Sequence, residues 1–295
     1  MSINKVVITA AGLGTRLLSA TKEMPKEMLP LFSINSINEL TIKPVLQLIF
    51  EQLFDMELRK FCFVVGRGKR SVEDHFTPDY HFIELLKKTG KASKAVELEE
   101  FYKRINSSAI IWVNQPEPRG FGDAVLRAEP FVGSEPFLVH AGDTYILSKG
   151  NAFLKRMLCM FSSESPDAVL LLKERPQKKM LKHYGVAEAA NTGDILVIRR
   201  VVEKPQKPPS NLAIMPIYIF KPVIFKALKE TAPGIGAELQ LTDAIQRLID
   251  WGFRVGAVKL SDNETRFDVG IPETYWESLR LSYGYSIRMI SRSKK

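Results

Sequence analysis

A chain of 295 residues with 45% hydrophobic and 25% charged side chains can bury a sizeable core, which excludes the disordered and fibrous classes. Its formal net charge of +9 suits anionic ligands, yet the basic residues are scattered among Asp and Glu, and no basic cluster interleaved with aromatics reads as a nucleic-acid surface. No stretch approaches the ~20 apolar residues of a membrane span, and no signal-peptide pattern precedes the first strand, so the expected setting is the cytoplasm.

Two cysteines, Cys62 in FCFVV and Cys159 in MLCMF, lie in apolar surroundings and read as buried, reduced thiols. The four histidines (His75, His81, His140, His183) have no metal-ligand spacing.

Residues 5–11 read as a short buried strand, followed by a glycine-rich turn and a helix-like stretch ending near Lys22. Residues 44–57 carry apolar positions at helical spacing, with Pro44 suited to a first turn. A strand follows at 60–66, then a helix beginning near Lys69. The charge-rich segment 77–104 reads as one or two amphipathic helices, an inserted excursion that covers the body. Buried strands are expected at 110–115 and 136–143, with a helix between them. From 168 onward strand-like runs return (AVLLLKE, GVAEAA, ILVIRRVVEKP, AIMPIYIFKP, FRVGAVKLS), with helices near 222–230 and 238–252. The last helix, 272–292, is amphipathic through Trp276, Leu279, Leu281 and Tyr283, and suits packing on the body or on a partner chain.

Alternating strands and helices imply an α/β fold with a Rossmann-like, doubly wound, mostly parallel sheet and helices on both faces, accompanied by a smaller β-rich portion. Ligands bind such sheets at the carboxyl ends of the strands. Gly12, Gln115 and Asp143 stand at the ends of the first, third and fourth predicted strands.

The first loop reads Ala10-Ala11-Gly12-Leu13-Gly14-Thr15-Arg16-Leu17. Leu17 stands where a dinucleotide fingerprint has its third glycine, and no Gly-Lys-Ser/Thr closes a Walker A loop. Small residues here let backbone N–H groups approach an anion, and Arg16 adds a rigid fork for phosphate oxygens. Ten residues on, Pro25-Lys26-Glu27-Met28-Leu29-Pro30 is a proline-bracketed segment that fixes a lysine beside the same loop.

AAGLGTRLLSATKEMPKEMLPL resembles the signature of the sugar nucleotidyltransferases, in the form typical of bacterial and archaeal UTP–glucose-1-phosphate uridylyltransferases. The resemblance implies that Ala11, Gly12, Leu13, Gly14 and Thr15 wrap the nucleotide. It makes Arg16 the holder of the departing phosphates and Lys26 the cation at the α-phosphate. Segment 33–44 is longer than the family's usual short turn before Lys43-Pro44.

Later motifs extend the resemblance along nearly the whole chain. Gln115 with Arg119-Gly120-Phe121-Gly122-Asp123-Ala124-Val125 is similar to the base-recognition segment, in which Gln115 and the backbone at Gly120 would read uracil. Asp123 replaces the family's more frequent histidine. Asp143 and Asp268 resemble the ligands of Mg²⁺, a hard ion for which one or two carboxylates suffice. Tyr184-Gly185, Glu203-Lys204, Asn211 and Glu238 look like the elements that bind the sugar phosphate.

The implied reaction joins UTP to glucose 1-phosphate, giving UDP-glucose and pyrophosphate, with Mg²⁺ as cofactor. One nucleotidyltransferase domain is expected over 1–295. Its nucleotide half is 1–150 with the insertion at about 77–105, its sugar-phosphate half is 151–271, and 272–295 is a C-terminal helix through which a homo-oligomer could form. Two alternatives stand beside this reading: a thymidylyltransferase using dTTP, and a silent nucleotide-sugar sensor.

Overall fold

The computed structural model describes residues 3–175, 181–192 and 195–293, so the last two residues of the expected C-terminal segment lie outside the described residues. The chain opens with β1 (Lys5–Ala10), a 3-10 turn at Thr15–Leu17 running into α1 (Leu18–Thr21), and a second 3-10 turn at Lys26–Met28. A hairpin of β2 (Pro30–Ile34) and β3 (Leu40–Pro44) leads into α2 (Val45–Phe54), then β4 (Lys60–Val65), α3 (Arg70–His75), α4 (Tyr80–Lys88) and α5 (Ala92–Asn106). Next come β5 (Ala109–Asn114), α6 (Phe121–Arg127), α7 (Glu129–Val132), β6 (Phe137–Ala141), β7 (Thr144–Leu147) and α8 (Ala152–Glu164). The remainder comprises β8 (Ala168–Glu174), β9 (Gly185–Thr192), β10 (Ile195–Glu203), β11 (Leu212–Phe220), α9 (Val223–Glu230), α10 (Leu241–Asp250), β12 (Val255–Lys259), β13 (Thr265–Asp268) and α11 (Pro272–Ser293).

Nine strands form one sheet in the order β5-β4-β1-β6-β11-β8-β12-β10-β9. The sheet is mixed, which corrects the expectation of a mostly parallel one. Helices cross between β1, β4, β5 and β6, and these four strands run parallel. Past β6 the direction changes: β11 is antiparallel to both β6 and β8, and β10 is antiparallel to β12 and β9, while β8 and β12 stay parallel. β9 and β10, successive strands of the chain, pair antiparallel with each other.

The inner parallel strands KVVITA and FLVHA are buried nearly throughout, as strands covered on both faces must be. Their side chains feed two apolar cores, one on each face. Val6 and Ile8 pack with α2, α5 and α8, and Val7 and Val139 pack with α6, α9 and α10. Helices on both faces therefore hold as expected.

Three local expectations change. Strand β5 is an edge strand with exposed alternate positions, and Trp112 stacks on Phe63 at 4.8 Å between ring centres. Cys62 is buried, but Cys159 is exposed, because α8 turns Phe153, Leu154, Met157 and Phe161 to the core instead. On α11 Leu279 and Leu281 pack on the body and Tyr283 meets Phe32 edge-on at 5.1 Å between ring centres, as expected, but the fully buried positions are Ser278, Ser282 and Ser286, and Trp276 is 66% exposed. Small residues four apart let the helix approach β2 closely enough for Phe32 N to donate to Ser282 Oγ at 3.3 Å. The long segment 33–44 is accounted for by the β2–β3 hairpin. Among the described residues no helix is long and apolar enough to cross a membrane.

Candidate active site

Strand β1 ends at Ala10, and the loop after it must turn sharply to enter the 3-10 turn. Gly14 makes that turn with φ 68°, a left-handed conformation that favours glycine. Thr21 locks it: Oγ1 donates to Gly14 O at 2.8 Å, and a Cβ on Gly14 would stand only 3.0 Å from that oxygen. Leu13, Thr15 and Arg16 stay exposed on the open side. The loop borders a cavity of about 440 Å³ whose lining includes Ala11, Gly12, Leu13, Gly14, Thr15, Arg16, Lys26, Gln115, Gly120, Asp143 and Glu238.

Pro25 sets up the 3-10 turn that carries Lys26, and Lys26 Nζ donates to Asp143 Oδ2 at the end of β6. Burial works against charge on both partners, but their attraction is stronger. It raises the Lys26 pKa, with help from Glu27, and holds the Asp143 carboxyl at about 2. Behind them lies a second ion pair, Lys69 Nζ to Glu27 Oε2 at 2.7 Å, with both side chains almost wholly buried. Burial pushes the Glu27 carboxyl up, and Lys69 and Lys26 oppose that push. Lys69 and Glu27 thus tie the start of α3 to the Lys26 turn.

At the far end of this cavity Gln115, just past β5, is buried. Its Nε2 donates to Gly120 O at 3.1 Å and to Asp123 Oδ2 at 2.8 Å. Gly120 has φ 105°, and a Cβ there would meet Glu238 Cβ and Leu239 O at 2.8 Å. No side chain fits at that position.

A second cavity, of about 580 Å³, opens over the antiparallel half of the sheet. Gly185, Glu203, Tyr184, Tyr218, Thr242, Arg266 and Asp268 contribute to its lining. Thr242 Oγ1 donates to Glu203 Oε2 at 2.6 Å and so fixes that carboxylate. Gly185 makes room beside them, since a Cβ would lie 2.9 Å from Thr242 Oγ1. Arg266 donates to Tyr184 Oη at 2.9 Å and to Asp268 Oδ2 at 2.7 Å, with a side chain only 10% exposed.

The two cavities share Arg16, Phe121, Ala141, Asp143 and Gly270. They are two lobes meeting at one charged junction.

Most residues singled out from the sequence come together here, but three stand differently. Glu238, expected on the sugar side, lines the first cavity beside Gly120, because the segment after α9 folds back over the start of α6. Asn211 lines neither cavity; it is exposed, and its Nδ2 donates to Glu174 Oε1 at 2.8 Å. Lys204 also lines neither cavity; it follows Glu203 with its backbone left-handed at φ 41° and its N–H donating to Tyr184 O at 3.0 Å. Its Nζ lies 3.4 Å from the Glu203 carboxylate.

Four contributors were not singled out from the sequence: Lys69, Tyr218, Thr242 and Arg266. Arg266 lies two residues before Asp268 on the same strand, a spacing that puts both on one face and could have flagged it. Thr242 sits in the same short motif as Glu238. The buried Lys69 has no local signal.

Backbone pairing brings Asp143 and Asp268 next to each other in the fold. Asp268 pairs in register with Thr144, and Val269 N donates to Asp143 O at 3.3 Å. The Asp268 carboxylate is held by Gly270 N at 2.8 Å, and its backbone N–H donates to Ser278 Oγ of α11 at 3.0 Å. Among the described residues no cluster of three or more His, Cys, Asp or Glu could close a protein-only metal cage. A pair of carboxylates beside a phosphate site is instead the donor set that suits Mg²⁺, which keeps waters and takes substrate oxygens.

The family model described as Nucleotidyl transferase matches residues 5–282. The UTP–glucose-1-phosphate uridylyltransferase of Pseudomonas aeruginosa is 36% identical over 285 residues, which cover 95% of this chain and 96% of that protein. The enzyme of the same name from Bacillus subtilis (strain 168) is 36% identical over 271 residues, covering 91% and 87%. Among solved structures, UDP-glucose pyrophosphorylase complexed with UDP-glucose superposes with a TM-score of 0.83 at 31% identity, covering 96% of this chain and 99% of that one.

Proposed function

The chain belongs to the nucleotidyl transferase family, and from that premise we propose that it transfers a uridylyl group from UTP to glucose 1-phosphate, forming UDP-glucose and pyrophosphate. The observation that carries this reading is the meeting of two lobes, one glycine-lined and one acid- and tyrosine-lined, at Arg16 and Asp143. A nucleoside triphosphate in the first lobe and a sugar phosphate in the second would bring their phosphates together there.

An oxygen of the sugar phosphate attacks the α-phosphorus in line, and the bond to pyrophosphate breaks on the opposite side. The nucleophile is already an anion, so no side chain needs to remove a proton. Catalysis is then positioning and charge neutralisation. Arg16 clamps the departing phosphates, Lys26 neutralises the α-phosphate, and Lys204, beside Glu203, meets the sugar's own phosphate. Glu203, fixed by Thr242, accepts hydrogen bonds from sugar hydroxyls. Gln115 and the backbone near Gly120 read the base. Bound by Asp143 and Asp268, Mg²⁺ would supply further neutralisation of the phosphates.

Pyrophosphate release with glucose 1-phosphate and Mg²⁺, compared across UTP, dTTP, CTP, ATP and GTP, tests the reading. The expected result is a strong UTP signal that EDTA abolishes. A dominant dTTP signal would move the assignment to a thymidylyltransferase, and silence with every nucleotide would overturn it.

A further inference from the structure

In that reading one side chain, the Gln115 amide, joins the backbone near Gly120 in reading the base, and a primary amide can be turned either way. Gln115 can present its oxygen to a ligand or, flipped, its NH₂ group. The choice decides which bases fit. Uracil and thymine carry a donor at N3, where cytosine carries an acceptor.

Two protein atoms lie within hydrogen-bond distance of one end of the Gln115 amide: Gly120 O at 3.1 Å and Asp123 Oδ2 at 2.8 Å. A carbonyl oxygen and a carboxylate oxygen both accept and neither donates. Only the NH₂ end of the amide can face them, so the chemistry of the neighbours sets the orientation. The amide oxygen is left for the cavity that Gln115 lines, and no described residue hydrogen-bonds it.

Asp123 is itself held in place. It is buried in the first turn of α6, and Arg127 one turn on lies 3.5 Å from its Oδ1. The contact from Gln115 is the shorter of the two.

We propose that Asp123 is a specificity-positioning residue: it locks the Gln115 amide with its oxygen toward the base, so that the site takes pyrimidines with an N3–H and rejects cytosine. The inference rests on the uridylyltransferase reading. Asp123 touches no substrate and acts through Gln115. It distinguishes uracil from cytosine but not uracil from thymine, because those two share the N3–H.

The isosteric Asp123→Asn tests it. An asparagine amide can accept from or donate to the Gln115 amide, so only Gly120 O still favours the NH₂ end, and the reversed orientation, which offers NH₂ to cytosine N3, becomes accessible. The kcat/KM values for UTP, dTTP and CTP are measured in the wild type, Asp123→Asn and Arg127→Ala, with a thermal melt of each. In Asp123→Asn the UTP:CTP ratio is expected to fall about tenfold or more, the worth of a misplaced hydrogen-bonding group, while the UTP:dTTP ratio holds. Arg127→Ala, which removes the ion pair but keeps the carboxylate, keeps the wild-type UTP:CTP ratio. A purely structural role for Asp123 would lower turnover of all three nucleotides together, and an unchanged UTP:CTP ratio in Asp123→Asn overturns the proposal. A wild type that does not turn over UTP would count against the uridylyltransferase reading instead.

Discussion

The two lobes of the site are built by different means. The first grows from the parallel half of the sheet, where loops at the ends of β1, β5 and β6 supply backbone turns, Gln115 and Asp143. The second grows from the antiparallel half, where side chains stand on strand faces and helix starts (Glu203 on β10, Tyr218 on β11, Thr242 on α10), joined by Arg266 on β13 of the separate β7–β13 pair. A loop that wraps phosphates needs a contiguous run of small residues, whereas a lobe lined from several elements needs single residues far apart in the chain. The contrast says where each lobe is fragile. The first fails when a turn or its buried support is disturbed, the second when one side chain or one gap changes.

The deepest break should come from beneath the first lobe. Lys69→Met leaves Glu27 buried without its closest partner, and losing one member of a buried pair costs about 3–5 kcal/mol. Urea denaturation should show that loss. A midpoint within error of wild type would mean that the pair does not brace the Lys26 turn. Lys26→Ala should lower kcat by about 10²–10³, as removal of one stabilising charge does, with the fold retained by circular dichroism. Near-normal turnover would remove Lys26 from the chemistry.

Two glycines separate the lobes cleanly. Gly120→Ala forces a Cβ into Glu238 and Leu239 at a left-handed position, a strain of about 1–3 kcal/mol, and should raise KM for UTP. Gly185→Ala crowds Thr242 and Glu203, and overpacking of about 1–3 kcal/mol should raise KM for glucose 1-phosphate instead. Equal effects of both variants on both substrates would erase the two-lobe distinction.

The smallest effect concerns pH. His140 on β6 is wholly buried, its Nδ1 lies 2.8 Å from Ala141 O, and burial lowers its pKa to about 4. The folded state therefore favours the neutral ring. That contribution is complete above the unfolded value of ~6.5 and is lost as pH falls from there toward 4. The drop in urea midpoint between pH 7 and pH 5 should be shallower in His140→Leu than in wild type. An identical slope would show that His140 does not titrate with unfolding.

The same contrast explains what could be read from the sequence. The glycine turn and Asp143 stand out because each directly follows an apolar strand, and the Lys26 segment because prolines bracket it, so neighbours in sequence stay neighbours in space. The parallel strands and their crossover helices were legible for the same reason. Thr242 and Tyr218 were not, because what brings them together is strand pairing over long separations, which no local period records. GVAEAA and ILVIRRVVEKP follow each other closely and pair antiparallel, which a mostly parallel sheet does not anticipate. Glu238 was recognised as a site residue, but its side of the junction depends on how the segment after α9 folds back onto Gly120. The Lys69–Glu27 pair joins residues 42 apart and left no trace in either segment.

The most direct test of the central claim is the reverse reaction. Given UDP-glucose, pyrophosphate and Mg²⁺, the wild-type chain should form UTP and glucose 1-phosphate in equal amounts, and Asp143→Asn should abolish both. Release of UMP in place of UTP, or no cleavage of UDP-glucose at all, would contradict the account.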